Sequence, residues 1–167
     1  MKTIELLKKL ITVYYYLLII GFVAIIFLIV TGFSSGDISG LNIIEDYDVS
    51  QLGVMELIAL AVVPFTIYIL FVRTVYLLKA TLRDLSEGNY FSKLVINHFS
   101  TIGKLILICA VLYATFKFVA RLLLLSDVRL GIDFSLITPI AIGLFFMFLS
   151  EVFTKARKTE EENKLTI

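Results

Sequence analysis

The sequence predicts an all-α fold, an integral membrane four-helix bundle with both termini on the cytoplasmic side. Two observations carry this expectation. Four long apolar runs cover roughly 10–33, 54–78, 105–125 and 134–153, and charge is sorted between the segments that join them. Each run has about the 20 residues that a helix needs to cross a hydrocarbon core of ~30 Å. Of the 167 residues, 59% are hydrophobic, whereas a soluble domain is about half apolar. The spans use almost the whole length, so residues 1–167 read as one membrane domain with a short cytoplasmic tail at 154–167.

Charge sets the orientation. Lys2, Lys8 and Lys9 precede the first run. The second connection holds Lys79, Arg83, Lys93 and Lys104, and the tail holds Lys155, Arg157, Lys158 and Lys164. The first and third connections contain only Arg129, while residues 34–53 carry Asp37, Glu45, Asp46 and Asp48. Short basic loops stay in the cytoplasm, so all four crossings agree on N-in and C-in, in a bacterial plasma membrane. The first run exceeds the ~7–15 apolar residues of a signal peptide, and Tyr14, Tyr15 and Tyr16 suit a headgroup-level aromatic belt, so this helix is expected to be retained.

The elements follow in order. Helix one is uninterrupted. Helix two contains Pro64, which removes a ladder hydrogen bond near mid-membrane and should kink it. Its pattern continues about two turns past Leu78, and Gly88 is a natural residue to end it. Ser92 is a plausible N-cap. After it, Leu94, Val95, Ile96, Phe99 and Ile102 are apolar, while Lys93, Asn97, His98, Ser100 and Lys104 are polar. That alternation predicts an amphipathic stretch at the inner interface, leading into helix three. Helix four starts near Asp133 or Ser135, with Pro139 in its early turns, and leaves the membrane through Glu151–Lys158.

Five ionisable residues fall within or at the ends of the spans: Glu56, Arg73, Lys117, Arg121 and Glu151. Each costs a few kcal/mol in hydrocarbon unless it snorkels or pairs. The topology suggests Glu56 with Lys117 or Arg121 towards the outer side, and Arg73 with Glu151 towards the inner side. Such pairs serve either as clamps between helices or as a polar path for an ion or solute.

Catalytic chemistry has little to draw on. The single His98 reads as a solvated loop residue, and the single Cys109 reads as an inert thiol inside the third run. With one Cys and one His, a Cys/His metal site lacks ligands. No P-loop, GxGxxG or HExxH pattern occurs. The net charge of +1 provides no basic field for direct nucleic-acid binding. The expectation is a protein without enzymatic activity or cofactor.

Two segments carry a family resemblance. One is Glu87-Gly88-Asn89-Tyr90-Phe91-Ser92, followed by Ile102-Gly103, and the other is Glu160-Glu161-Glu162-Asn163-Lys164-Leu165-Thr166-Ile167. Together with four spans, these resemble a bacterial membrane-protein family catalogued as domain of unknown function 2975. The chain departs from the family pattern at Tyr90, where a Pro is usual, and at Lys164, where an acidic residue is usual. The resemblance implies a four-helix membrane protein with no assigned activity, and genes of the family lie beside a small helix-turn-helix regulator.

On this basis the expected function is non-enzymatic binding of a cytoplasmic partner at the inner face. Such a partner could be a small helix-turn-helix regulator sequestered there as part of a signalling pair. Gly88, Phe91, Ser92, Glu161, Glu162, Leu165, Thr166 and Ile167 are the candidate contact residues. The alternative is a small transporter, channel or self-immunity protein that uses Glu56, Lys117 and Arg121 as a polar path.

Overall fold

The computed structural model describes residues 2–35, 54–125 and 134–165, and within them the side chains of 2–28, 30–31, 61–120 and 136–163. These residues form α1 (Lys2–Ser35), α2 (Val54–Ser86), α3 (Lys93–Leu125) and α4 (Phe134–Leu165). All four are long and apolar enough to cross a membrane. At 32 to 34 residues each, they measure about 50 Å at ~1.5 Å per residue, well beyond the ~30 Å of a hydrocarbon core. The amphipathic stretch expected after Ser92 is continuous with α3, and α2 runs on past Leu78 to Ser86. Helix assignment also continues through Pro64 and Pro139.

The helices are antiparallel in chain order. The Lys8 ammonium donates to the Ser86 hydroxyl at 2.9 Å, which brings the start of α1 to the end of α2. The Ser150 hydroxyl donates to the Ile96 carbonyl at 2.9 Å, which brings the last third of α4 to the first turns of α3. The starts of α1 and α3 and the ends of α2 and α4 therefore share one end of the molecule, called here the terminal end.

The α2–α3 connection is built from backbone hydrogen bonds. Gly88 has φ of 88°, in the left-handed region that glycine enters without a Cβ clash. Its N–H donates to Leu85 O at 3.2 Å, and Asn89 N–H donates to Asp84 O at 3.1 Å. These two bonds make the Schellman closure that satisfies the last carbonyls of a helix. The Ser92 hydroxyl accepts the Val95 N–H at 3.1 Å, so it caps α3 as the sequence suggests.

Packing centres on α3, which lies against both α2 and α4. Val95 and Ile102 are fully buried and Phe99 nearly so. They pack on Leu77, Leu78 and Leu85 of α2 and on Phe146, Leu149 and Phe153 of α4. A run of ring contacts stitches the terminal end together: Phe91 to Phe153 at 5.7 Å, Phe153 to Phe99 at 5.5 Å, and Phe99 to Phe146 at 5.8 Å.

The α3 and α4 backbones meet at two glycines. A Cβ on Gly103 would lie 2.6 Å from Gly143 O and from Met147 Cγ, and one on Gly143 would lie 3.0 Å from Gly103 O. Ala110 and Ser150, each seven residues further along its helix, are also buried, so small residues line this seam at heptad spacing. By contrast, α1 makes its substantial contacts with α2 alone.

Replacing Gly103 with Ala should lower the unfolding free energy by about 1–3 kcal/mol, because the new methyl meets the α4 backbone at Gly143 O as well as the Met147 side chain. Gly88→Ala should cost about 1 kcal/mol through backbone strain alone, since nothing crowds that position. Thermal unfolding in detergent, monitored by circular dichroism, tests both and should rank Gly103→Ala as the more damaging.

Candidate functional site

The terminal end is where the described polar side chains converge. In the α2–α3 connection, the three residues singled out from sequence have local structural roles. Gly88 supplies the left-handed residue and Ser92 caps α3, its hydroxyl also 3.4 Å from Asp84 Oδ2. Phe91 lies edge-on against Phe153 and keeps 38% of its surface exposed. The connection is therefore held against α4 and still presents an apolar ring.

The tail leaves this platform as helix. α4 continues to Leu165, and residues 158–163 are exposed on every side. Arg157 Nε donates to Glu161 Oε1 at 2.8 Å, one helical turn along. Glu162 is also exposed. The side chains of Lys164 and Leu165, together with Thr166 and Ile167, lie outside the described residues.

Around this end, α1 and α2 are joined by aromatic and cationic contacts. The Lys79 ammonium lies 4.8 Å from the Tyr15 ring centroid and 4.7 Å from that of Tyr16, an attraction to the ring faces. Tyr14 packs edge-on against Phe71. The tyrosines read as an interfacial belt thus also bind α1 to α2. Deeper, the Tyr68 hydroxyl donates to the Leu18 carbonyl at 2.6 Å, and Phe22 stacks on Phe65 and Tyr68.

His98 departs from expectation. It is a half-buried residue of α3 rather than a solvated loop residue. Its Nδ1 lies 3.3 Å from the hydroxyl of Thr81, which is fully buried and also donates to Leu77 O at 2.8 Å. Sequence reasoning overlooked Thr81. The signal was present: Thr81 and His98 stand almost equally far on either side of the Gly88–Ser92 turn, and an antiparallel pair must bring such positions together.

The expected Arg73–Glu151 pair is not formed. Both side chains are exposed, and no ion pair joins them among the described residues. Helix register explains this. The Thr81–His98 contact aligns α2 with α3, and the Ser150–Ile96 bond aligns α4 with α3. Arg73 then falls level with about Ile106, and Glu151 with about Val95, roughly 16 Å apart along the axis at ~1.5 Å per residue. Lys117 is half-buried and engaged with a neighbour. The side chains of Glu56 and Arg121 lie outside the described residues, so the second expected pairing does too.

Between α2 and α3, Pro64, Ile67, Tyr68, Phe71, Tyr113 and Phe116 line an open, largely apolar groove of about 320 Å³. Cys109 is half-buried on the same seam, with Sγ 4.0 Å from Ile67 O. Among the described residues no group of three or more His, Cys, Asp or Glu side chains is placed to hold a metal ion.

The sequence model of the family described as "Protein of unknown function (DUF2975)" matches residues 7–167. The chain belongs to the DUF2975 family. The match takes in all four helices, the Gly88–Ser92 turn and the tail. No curated protein matches the chain significantly, and no solved structure does either.

Two interhelical hydrogen bonds of this DUF2975 protein can be weighed directly. Tyr68→Phe removes a polar link between the middles of α1 and α2, and Thr81→Val removes the partner of His98 Nδ1. Each should cost about 0.6–1.7 kcal/mol, the range for hydrogen bonds between membrane helices. Unfolding in mixed micelles measures the loss, and the double variant should be additive because the sites do not touch.

Proposed function

We propose that this DUF2975 protein is a non-enzymatic, multi-pass protein of a bacterial plasma membrane. Its termini are cytoplasmic, and it binds a soluble protein at its inner face. The observation that carries the reading is the unbroken course of α4 from its apolar run to Leu165, with residues 158–163 exposed on every side. A helix of that length would not form alone in water, because nucleation is costly. Here the anchored part of α4 supplies the nucleus, and the result is a charged rod standing off the platform made by Phe91 and Phe153. The segment ends in the Leu165-Thr166-Ile167 sequence, which adds apolar residues that a partner groove can accept. A small helix-turn-helix regulator, held at the membrane and away from DNA, is the partner that the family resemblance favours.

A second reading has its own support. Lys117 is half-buried, one turn beyond Tyr113 and next in sequence to Phe116 of the α2–α3 groove, and a charge at that depth suits a polar path for a solute.

Cross-linking in cells followed by mass spectrometry separates the readings. Full-length protein should capture a small soluble DNA-binding protein, and a chain ending at Lys158 should not. Recovery of the same proteins from both would sink the docking reading. Lys117→Leu should leave capture unchanged, whereas a loss of solute flux in that variant would favour the path. Orientation has its own check: in a Cys109→Ser background, Asp46→Cys should react with an impermeant maleimide on intact cells, and Thr159→Cys only after permeabilisation.

A further inference from the structure

α3 turns four polar side chains to one side of the molecule. Lys93, Asn97, Ser100 and Lys104 follow a spacing of four, three and four residues, which places them on a single helix face. Lys93, Asn97 and Lys104 are exposed and Ser100 is half-exposed. None of the four side chains makes a hydrogen bond or ion pair with a described residue. That is unusual in this molecule, where nearly every described threonine returns its hydroxyl to the carbonyl four residues back. Ser100 is four residues after Ile96, whose carbonyl receives the Ser150 hydroxyl instead.

The same face continues without interruption into Ile108, Val111, Thr115 and Phe118, all exposed. Thr115 hides its hydroxyl on Val111 O at 2.9 Å. This lower part is therefore apolar in effect and is solvated by acyl chains in a bilayer. Molecules whose chains lie along Ile108 and Val111 have their headgroups next to Lys104 and Ser100.

Neighbouring α4 sharpens the point. The Ser150–Ile96 bond and the Gly103–Gly143 contact place Lys104 level with Ile142, Ser100 with Phe146, and Asn97 with Leu149. At these levels α4 turns Phe145 and Phe148 outward, 56% and 58% exposed. A flat bilayer would have to offer a polar layer to α3 and hydrocarbon to α4 at one depth. A headgroup drawn inward beside α3 reconciles the two faces, as local thinning does around charged side chains elsewhere.

We propose that Lys93, Asn97, Ser100 and Lys104 form a binding site for the phosphate headgroup of an anionic phospholipid. The donors suit it: two ammonium groups, an amide NH₂ and a hydroxyl can donate to oxygens that only accept, with Asn97 and Ser100 at the centre and the long side chains of Lys93 and Lys104, about 16 Å apart along the axis at ~1.5 Å per residue, reaching in from either end. No described carboxylate lies within ion-pair distance of either lysine, so the site carries two uncompensated positive charges and selects a headgroup with net negative charge. A second copy of the chain is a poor occupant, because a two-fold axis would set lysine against lysine. The site rests on the bilayer placement proposed above but not on the tail, so the truncation ending at Lys158 should retain it.

Native mass spectrometry of the full chain, titrated with phosphatidylglycerol or phosphatidylcholine, tests the site. Wild type should prefer phosphatidylglycerol, and Lys93→Gln/Lys104→Gln should weaken that binding about tenfold or more. Asn97→Ala/Ser100→Ala should weaken it less, and for both lipids. Lys2→Gln/Lys9→Gln, which removes two exposed lysines from α1 at the same end, should change little. All substituted side chains are at least partly exposed, and circular dichroism confirms that each variant is folded. The proposal is overturned if wild type shows no preference or if the α1 variant loses as much as the α3 variant. It also falls if Lys93 and Lys104 cross-link to an acidic soluble protein while lipid preference stays intact.

Discussion

Helices in lipid gain nothing from burying apolar surface against one another, because acyl chains are as apolar as leucine. Their association depends on close van der Waals contact and on hydrogen bonds across the seam. In this chain both are concentrated where α3 meets α4. Gly103 and Gly143 admit each other's carbonyls to a distance that a single Cβ would forbid, and Ser150 donates across the same seam to Ile96. The contact allows little sliding, so it fixes the axial register of the two helices. Phe153 then falls between Phe91 and Phe99, and Phe146 falls against Phe99. The aromatic run at the terminal end follows from the glycine contact.

Polar groups obey the same constraint. Among the described residues no buried side-chain nitrogen or oxygen lacks a partner. The threonines achieve this within their own helices, and Thr81 does so while also reaching His98. The exceptions to local satisfaction tie helices together: Ser150 to Ile96, Tyr68 to Leu18 and Lys8 to Ser86. A hydroxyl that can bond to its own helix and instead crosses to another adds specificity to an otherwise greasy surface, since a slipped register would strand the donor.

Features written into neighbouring residues were legible in the sequence. The helix stop at Gly88, the cap at Ser92 and the apolar side of early α3, of which Val95, Phe99 and Ile102 are buried and Leu94 is exposed, depend on local chemistry and on a 3.6-residue period. All are found in the structure. The run of α2 two turns past Leu78 follows from the same pattern. What depends on register between helices was not legible. Counting along their own spans puts Arg73 in the inner third and Glu151 near the inner surface, and nothing in either span reveals the Thr81–His98 and Ser150–Ile96 contacts that offset them. His98 was misjudged for the same reason, since its environment is Thr81 on another helix. The partner residues of the Gly88–Ser92 turn are a different case: each has a structural task that its identity alone explains, so the turn's sequence carries no separate sign of a binding role.

The position of α1 follows from what it lacks. Among its described residues it has no glycine seam with a neighbour comparable to that of α3 and α4. A Cβ at Gly21 would meet only the Tyr68 hydroxyl, at 3.1 Å. Its attachment to α2 is a series of point contacts spread over its length: Lys8 on Ser86, Tyr15 and Tyr16 around Lys79, and Leu18 and Phe22 on Tyr68. Point contacts between side chains tolerate small tilts that backbone-to-backbone contact does not. Contact in this molecule is therefore graded, from the backbone-to-backbone seam of α3 and α4 through α2 to a first helix held by α2 alone. The α3–α4 pair carries both the tail and the polar face of α3.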